Sequence, residues 1–166
     1  LIQTRSVRFT VLTPGLIRME WSSSGQFEDR ASMAFPNRKL PVPNFQLSEH
    51  KNTVQIETDC FQLEWIDDGH SFSGENLKIC VKKTKDDVLW VPGMANTGNL
   101  GGTLRTLDDL SGWKELDPGL LSRSGWTLID DSESLVLGNE QIPWIAHRGN
   151  PNNLDWYFFA YGSDYL

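Results

Sequence analysis

Apolar and polar residues alternate with a period of two along much of this chain. Over residues 5–11, Val7, Phe9 and Val11 are separated by Arg8 and Thr10, as in a strand with one buried face. Thr13-Pro14-Gly15 interrupts the pattern with turn formers; proline presets φ and glycine accepts φ > 0. Ile17, Met19 and Trp21 resume it, with Arg18 and Glu20 directed to the opposite face. The pair reads as a β-hairpin. The same grammar predicts strands over 54–58 and 60–66, a tight turn at Asp67-Asp68-Gly69, and strands over 77–81 and 88–91 on either side of a charged turn. Further strands are expected over 126–129, 134–137 and 156–161. About nine or ten short strands at this spacing define an all-β chain, an antiparallel β-sandwich with little helix.

Residues 92–125 break the rhythm. Pro92-Gly93-Met94-Ala95-Asn96-Thr97-Gly98-Asn99-Leu100-Gly101-Gly102 and Pro118-Gly119-Leu120-Leu121-Ser122-Arg123-Ser124-Gly125 are rich in glycine and turn formers. Long irregular stretches inside a compact domain are usually functional loops or contact surfaces. Near the other end, Trp156-Tyr157-Phe158-Phe159-Ala160-Tyr161 is aromatic on both strand faces. Such a strand needs cover on both faces, and a second domain is one source of it.

Composition narrows the class. The 166 residues suffice for one domain with its own core, but not for a (β/α)₈ barrel, which takes about 250. A formal net charge of −7 argues against nucleic-acid or anionic-membrane partners, whose binding rests on clustered lysine and arginine. No apolar run is long enough to span a bilayer. The chain opens at Leu1 rather than methionine, as a piece of a longer protein would. Cys60 and Cys80 lie in apolar segments with no metal-ligand spacing around them, and behave as small hydrophobes. The compartment stays open, with the cytoplasm favoured.

Chemistry-bearing residues are then few. Four Asp-Asp pairs occur, at 67–68, 86–87, 108–109 and 130–131. Glycoside hydrolysis needs two carboxyl groups facing each other across the sugar, and neighbours on a strand point to opposite faces. No single pair therefore serves, and turn chemistry accounts for the first two. Asp130 and Asp131 border the irregular segment and are less easily assigned to turns. His50 and His70 read as surface residues and His147 as a loop residue. No nucleophile elbow, P-loop or dinucleotide fingerprint occurs, and no cofactor or metal is implied. Seven tryptophans among eighteen aromatic residues offer sugar platforms, or else core and interface payload. Trp21 and Trp65 fall in strand alternation and read as core; Trp90, Trp113, Trp126, Trp144 and Trp156 flank the irregular parts.

Four segments, in order, resemble the N-terminal region of bacterial glycoside hydrolases of family 31. Phe27-Glu28-Asp29-Arg30-Ala31-Ser32 is similar to their F-E-D-R-P-T segment, and Gly101-Gly102-Thr103-Leu104-Arg105-Thr106-Leu107-Asp108 to their G-T-x-R-T-L-D stretch. Residues 118–126 followed by Ile129-Asp130-Asp131-Ser132 resemble G-L-[IL]-S-R-x-G-W…D-D-S. Residues 155–165 resemble the D-x-Y-F-F-x-Y-G-x-D-Y that precedes the catalytic barrel.

The resemblance implies a non-catalytic N-terminal β-sandwich, galactose-mutarotase-like (a supersandwich), of a retaining α-glycosidase of the α-glucosidase or α-xylosidase type. Residues 1–166 would form that one domain, with about 150–166 leading toward a missing (β/α)₈ barrel that holds both catalytic aspartates. The partners implied are the chain's own downstream barrel and an α-linked oligosaccharide at the seam between them. Arg123, Ser124 and Trp126 match the family's loop toward the active-site mouth and are the substrate-binding candidates, serine replacing the aspartate some relatives carry at Ser124. The plainer alternative is that Arg123 and Trp126 only pin the loop to the sandwich or barrel. Asp29-Arg30 and Arg105-Asp108 read as a structural ion-pair network. A stand-alone carbohydrate-binding module is the alternative function, and a small aldose mutarotase, with a His–Glu cleft, the third.

Overall fold

The computed structural model describes residues 1–84, 87–102, 111–112, 115–138 and 144–164. Within them lie β1 (Ile2–Gln3), β2 (Val7–Thr13), β3 (Leu16–Trp21), β4 (Gln46–His50), β5 (Thr53–Glu57), β6 (Phe61–Ile66), β7 (Leu77–Val81), β8 (Val88–Trp90), β9 (Trp126–Asp130), β10 (Val136–Leu137), β11 (Ile145–Ala146) and β12 (Leu154–Ala160). No helix occurs among the described residues.

Two five-stranded antiparallel sheets, in the orders β1-β2-β3-β12-β9 and β4-β5-β6-β7-β8, face each other, and β10-β11 forms a separate ribbon. Alternation dictates the core. Val7, Phe9 and Val11 of β2 and Ile17 and Met19 of β3 join Ile56, Leu63, Trp65, Leu77, Ile79 and Val81 of the second sheet in one buried cluster. Aromatic rings cross the interface: Phe9 meets Trp65 at 5.8 Å edge-on, and Trp90 meets Phe158 at 4.8 Å. The molecule is an all-β antiparallel sandwich, as the alternation predicts.

The Thr13-Pro14-Gly15 turn forms, with a register shift between Val11 and Thr13. Glycine is needed at position 15 for closeness rather than for φ: a Cβ there would stand 2.7 Å from the Ala160 carbonyl oxygen. At Gly69 the expected positive φ is present, at 80°. Cys60 and Cys80 are free thiols. Three short strands escape the pattern: β1, β4 and β11. Every residue of β4 is exposed, so it carries no alternation to read.

Residues 154–160 form β12, an interior strand paired with β3 on one side and β9 on the other. Its outer aromatic face has cover from within the chain. Residues 26–38 run across it, and the Phe35 ring lies flat on Tyr157 at 3.5 Å.

Under that strap the outer face of the first sheet is charged yet sealed. Arg8, Glu20 and Asp155 stand side by side in register, so two carboxylates oppose each other directly. Arg18 reconciles them, 2.9 Å from Glu20 and 2.7 Å from Asp155. Arg8 clamps Glu20 at 2.6 and 2.8 Å and reaches Asp29 on the strap at 2.6 Å. Arg148 bridges Asp155 and Asp131, each at 2.7 Å. An ion-pair network is therefore present, but Asp29 pairs with Arg8, and Arg30 with Glu28. Arg105 and Asp108 lie outside the described residues, as do Trp113, Tyr165, Asp86 and the 108–109 pair. Burial pushes the Glu20 carboxyl up, against the hydrogen bonds from Arg8 and the charge of Arg18. The Tyr157 phenol is pushed up to about 12, by burial first and then by the Asp155 charge.

Candidate functional site

The irregular middle of the chain folds into two interlocked loops, 96–102 and 115–125, at the end of the sandwich where β12 finishes. Asparagines do the interlocking. Asn96 donates to the Trp126 carbonyl at 3.0 Å and accepts from Ser122 Oγ at 2.5 Å. Asn99 Oδ1 accepts from the amides of Gly101 and Gly119, at 2.9 and 2.8 Å, while its Nδ2 donates to the Gly119 carbonyl at 2.8 Å. These bonds satisfy backbone groups that no strand pairs. The loops also bond main chain to main chain, Leu100 to Leu121 and Arg123 to Gly98.

The approach is close enough to require glycine. A Cβ on Gly98 would lie 2.5 Å from Ser124 Oγ and 2.8 Å from the Ser124 amide nitrogen. Gly125, with φ 78°, turns the chain into β9 and accepts from the amides of Tyr161 and Gly162. Tyr161 donates through its hydroxyl to the Leu120 carbonyl at 3.2 Å, so the exit of β12 is tied to the loop pair.

This assembly presents Leu100, Leu116, Leu120 and Leu121 half-exposed, between 44% and 49%. Beside them is a polar cleft of about 620 Å³, lined by Asn96, Thr97, Asn99, Gly101, Glu115, Leu116, Asp117 and Pro118. The four leucines, on loops joined to each other by main-chain and asparagine hydrogen bonds, leave apolar area in solvent beside this polar cleft.

Of the three residues expected at a sugar, the structure brings one to solvent. Arg123 is exposed, with no side-chain partner among the described residues. Ser124 is half-buried against Gly98. Trp126 is 2% exposed and stacks on Phe158 at 5.9 Å, 9° from parallel. Its indole is part of the hydrophobic core. Asn96 and Asn99, which organise the loops, were not singled out by sequence; an asparagine at each end of Asn96-Thr97-Gly98-Asn99 was the available signal.

The carboxylates and histidines also find places. Asp67 and Asp68 accept backbone amides two residues on, at 3.2 and 2.9 Å, and the His70 amide bond, then the Asn76 side chain, hold the Asp68 carboxyl low. Asp130 does the same for Ser132 at 3.0 Å. Asp131 is buried against Arg148. All three histidines are exposed. Among the described residues no three histidine, cysteine or acidic side chains converge to hold a metal.

The chain is thus an all-β sandwich whose interlocked loops leave four leucines half in solvent. Set against known protein families and curated proteins, the chain matches no family model and no curated relative.

Proposed function

We propose that this chain is a non-catalytic β-sandwich domain of a retaining α-glycosidase, docking on a catalytic (β/α)₈ barrel and shaping the carbohydrate entrance. The observation that carries this reading is the leucine surface of loops 96–102 and 115–125, tied through Tyr161 to the end of β12. The four segments resembling family 31 glycoside hydrolases, and their galactose-mutarotase-like sandwich, support it further. Arg123, exposed at the rim of that surface, is the residue proposed to reach an α-linked oligosaccharide at the seam.

Two measurements test the reading. The coding sequence past Leu166 should encode a barrel with two aspartates placed for retention, and the longer product should cleave aryl α-glycosides while residues 1–166 alone do not. A stop codon there, or hydrolysis by the isolated chain, would overturn it. Leu120→Ser with Leu121→Ser should destabilise the longer protein by about 2 kcal/mol more than the 166-residue chain, in which each leucine is already half-covered. That figure takes roughly 1 kcal/mol for the half of each leucine that docking would cover.

A stand-alone carbohydrate-binding module is the second reading, favoured by Trp144, which is 70% exposed. It predicts sugar affinity that Trp144→Ala abolishes, with no hydrolase encoded downstream.

A further inference from the structure

Arg123 sits in a reverse turn, residues 122–125, closed by the Gly125 amide donating to the Ser122 carbonyl at 3.1 Å. Its side chain is exposed and has no partner among the described residues. Nothing at the guanidinium end therefore fixes where that group stands. A long side chain gives up much rotamer freedom when it is ordered, so its use at a seam depends on how firmly its backbone is held.

Both feet of the turn are held by one side chain. Before Arg123, Asn96 Oδ1 accepts from Ser122 Oγ at 2.5 Å. After it, Asn96 Nδ2 donates to the Trp126 carbonyl at 3.0 Å. The Ser122 hydroxyl also accepts from the Ser124 amide at 3.0 Å, and Ser122 is fully buried. The Arg123 amide donates to the Gly98 carbonyl at 2.8 Å, two residues on from Asn96. Trp126, the second foot, stacks on Phe158 in the core. Each residue from 122 to 126 is thus bonded or packed, and the Arg123 side chain alone is left over.

Asparagine suits this place because one short planar group offers an acceptor and a donor together. An ionised aspartate has no donor for the Trp126 carbonyl, and alanine has neither group. Loss of the amide leaves the Ser122 hydroxyl and the Trp126 carbonyl unpaired at once, so both feet loosen together. We infer that Asn96 is the positioning residue for Arg123, setting where its guanidinium meets the α-linked oligosaccharide. The inference rests on the reading of Arg123 given above. The effect of Asn96 on sugar affinity passes through Arg123.

The test is a mutant cycle on the longer protein, with maltotriose as substrate. Asn96→Ala should raise KM roughly two- to tenfold, the worth of one hydrogen bond, with kcat little changed, as for lost uniform binding. Arg123→Ala should raise KM about tenfold or more, the worth of a bond from a charged group. In the Arg123→Ala background, Asn96→Ala should have no further effect, since no guanidinium is left to place. Ser122→Ala breaks the clamp from the other side and should match Asn96→Ala, which guards against a folding artefact at either position. Hydrogen exchange of the 166-residue chain reads the clamp itself. In Asn96→Ala the amides of Arg123, Ser124 and Gly125 should exchange roughly tenfold faster, and those of β2 and β3 at the parent rate. The inference alone is overturned if Arg123→Ala raises KM while Asn96→Ala and Ser122→Ala do not, or if the effects multiply as independent ones. Unchanged exchange at residues 123–125 also overturns it. Unchanged KM in Arg123→Ala overturns the reading of Arg123, and this inference with it.

Discussion

Replacing Asp155 with alanine tests the sealed outer face of the first sheet. Asp155 is 2% exposed and accepts from Arg18 Nε and Nη2 and from Arg148 Nη1, all at 2.7 Å. Removing one partner of a buried ion pair costs about 3–5 kcal/mol, since the survivor keeps its desolvation penalty. Here each survivor keeps something. Arg18 retains Glu20 at 2.9 Å and the Glu28 carbonyl at 2.9 Å, and Arg148 retains Asp131 at 2.7 Å. Relief of the Glu20–Asp155 opposition works in the same direction. The expected cost of Asp155→Ala is therefore at the lower end, about 3 kcal/mol. Urea titration followed by tryptophan fluorescence reads this directly. At a slope of ~2 kcal/mol/M the midpoint falls by about 1.5 M with the slope unchanged. The double variant Arg18→Met/Asp155→Leu should fall within ~1 kcal/mol of the parent, because apolar replacement removes the desolvation penalty with the charges. If Asp155→Ala alone costs less than about 1 kcal/mol, water reaches this network, and residues 26–38 do not seal the face.

Other expectations follow from the same geometry. Trp126→Ala should cost about 3–5 kcal/mol, as for a large buried ring; unchanged thermal stability would contradict its place against Phe158. Gly98→Ala forces a Cβ to 2.8 Å from the Ser124 amide and should cost about 1–3 kcal/mol in chemical denaturation, with neutrality refuting the close approach of the two loops. The Glu20 carboxyl lies above its ordinary value in the folded state, so its contribution is fully present below the unfolded pKa and is lost as pH rises through the folded one. Urea midpoints of Glu20→Gln should accordingly fall less than those of the parent between mildly acidic and neutral pH; parallel profiles would dismiss the raised carboxyl.

The strands that alternate against the facing sheet were legible, because a half-buried strand writes its burial into every second residue. Strands β5, β6 and β7 show it in burial, and β2 and β3 show it in residue type, with charged side chains on the second face. The signal fails at β4 because its five residues are all exposed, and at the two-residue β1 and β11 because two positions hold no period. The burial of Trp126 was not legible, because it opens β9 directly after the irregular segment and its neighbour Thr127 is buried as well. The outer face of the first sheet was not legible. Arg18 and Glu20 look like solvent-facing residues, and only a strap from 26–38 and a partner at Asp155 make them interior. The leucine surface likewise emerges only when the loops fold together, since Leu100 and Leu121 are neighbours through a backbone bond and not through sequence.

The place of β12 in the first sheet has a consequence for how the chain is made. Arg18 meets Asp155 across 137 residues of sequence. At 5–20 residues per second a ribosome needs roughly 7 to 27 s to span that distance. During this interval the β2-β3 hairpin has one edge open and its arginines and glutamate without their last partner. An open edge invites pairing with other chains, and contacts this distant in sequence form slowly. The nascent protein should therefore depend on holding factors until β12 emerges, and truncation before Ala160 should yield aggregate instead of a smaller domain.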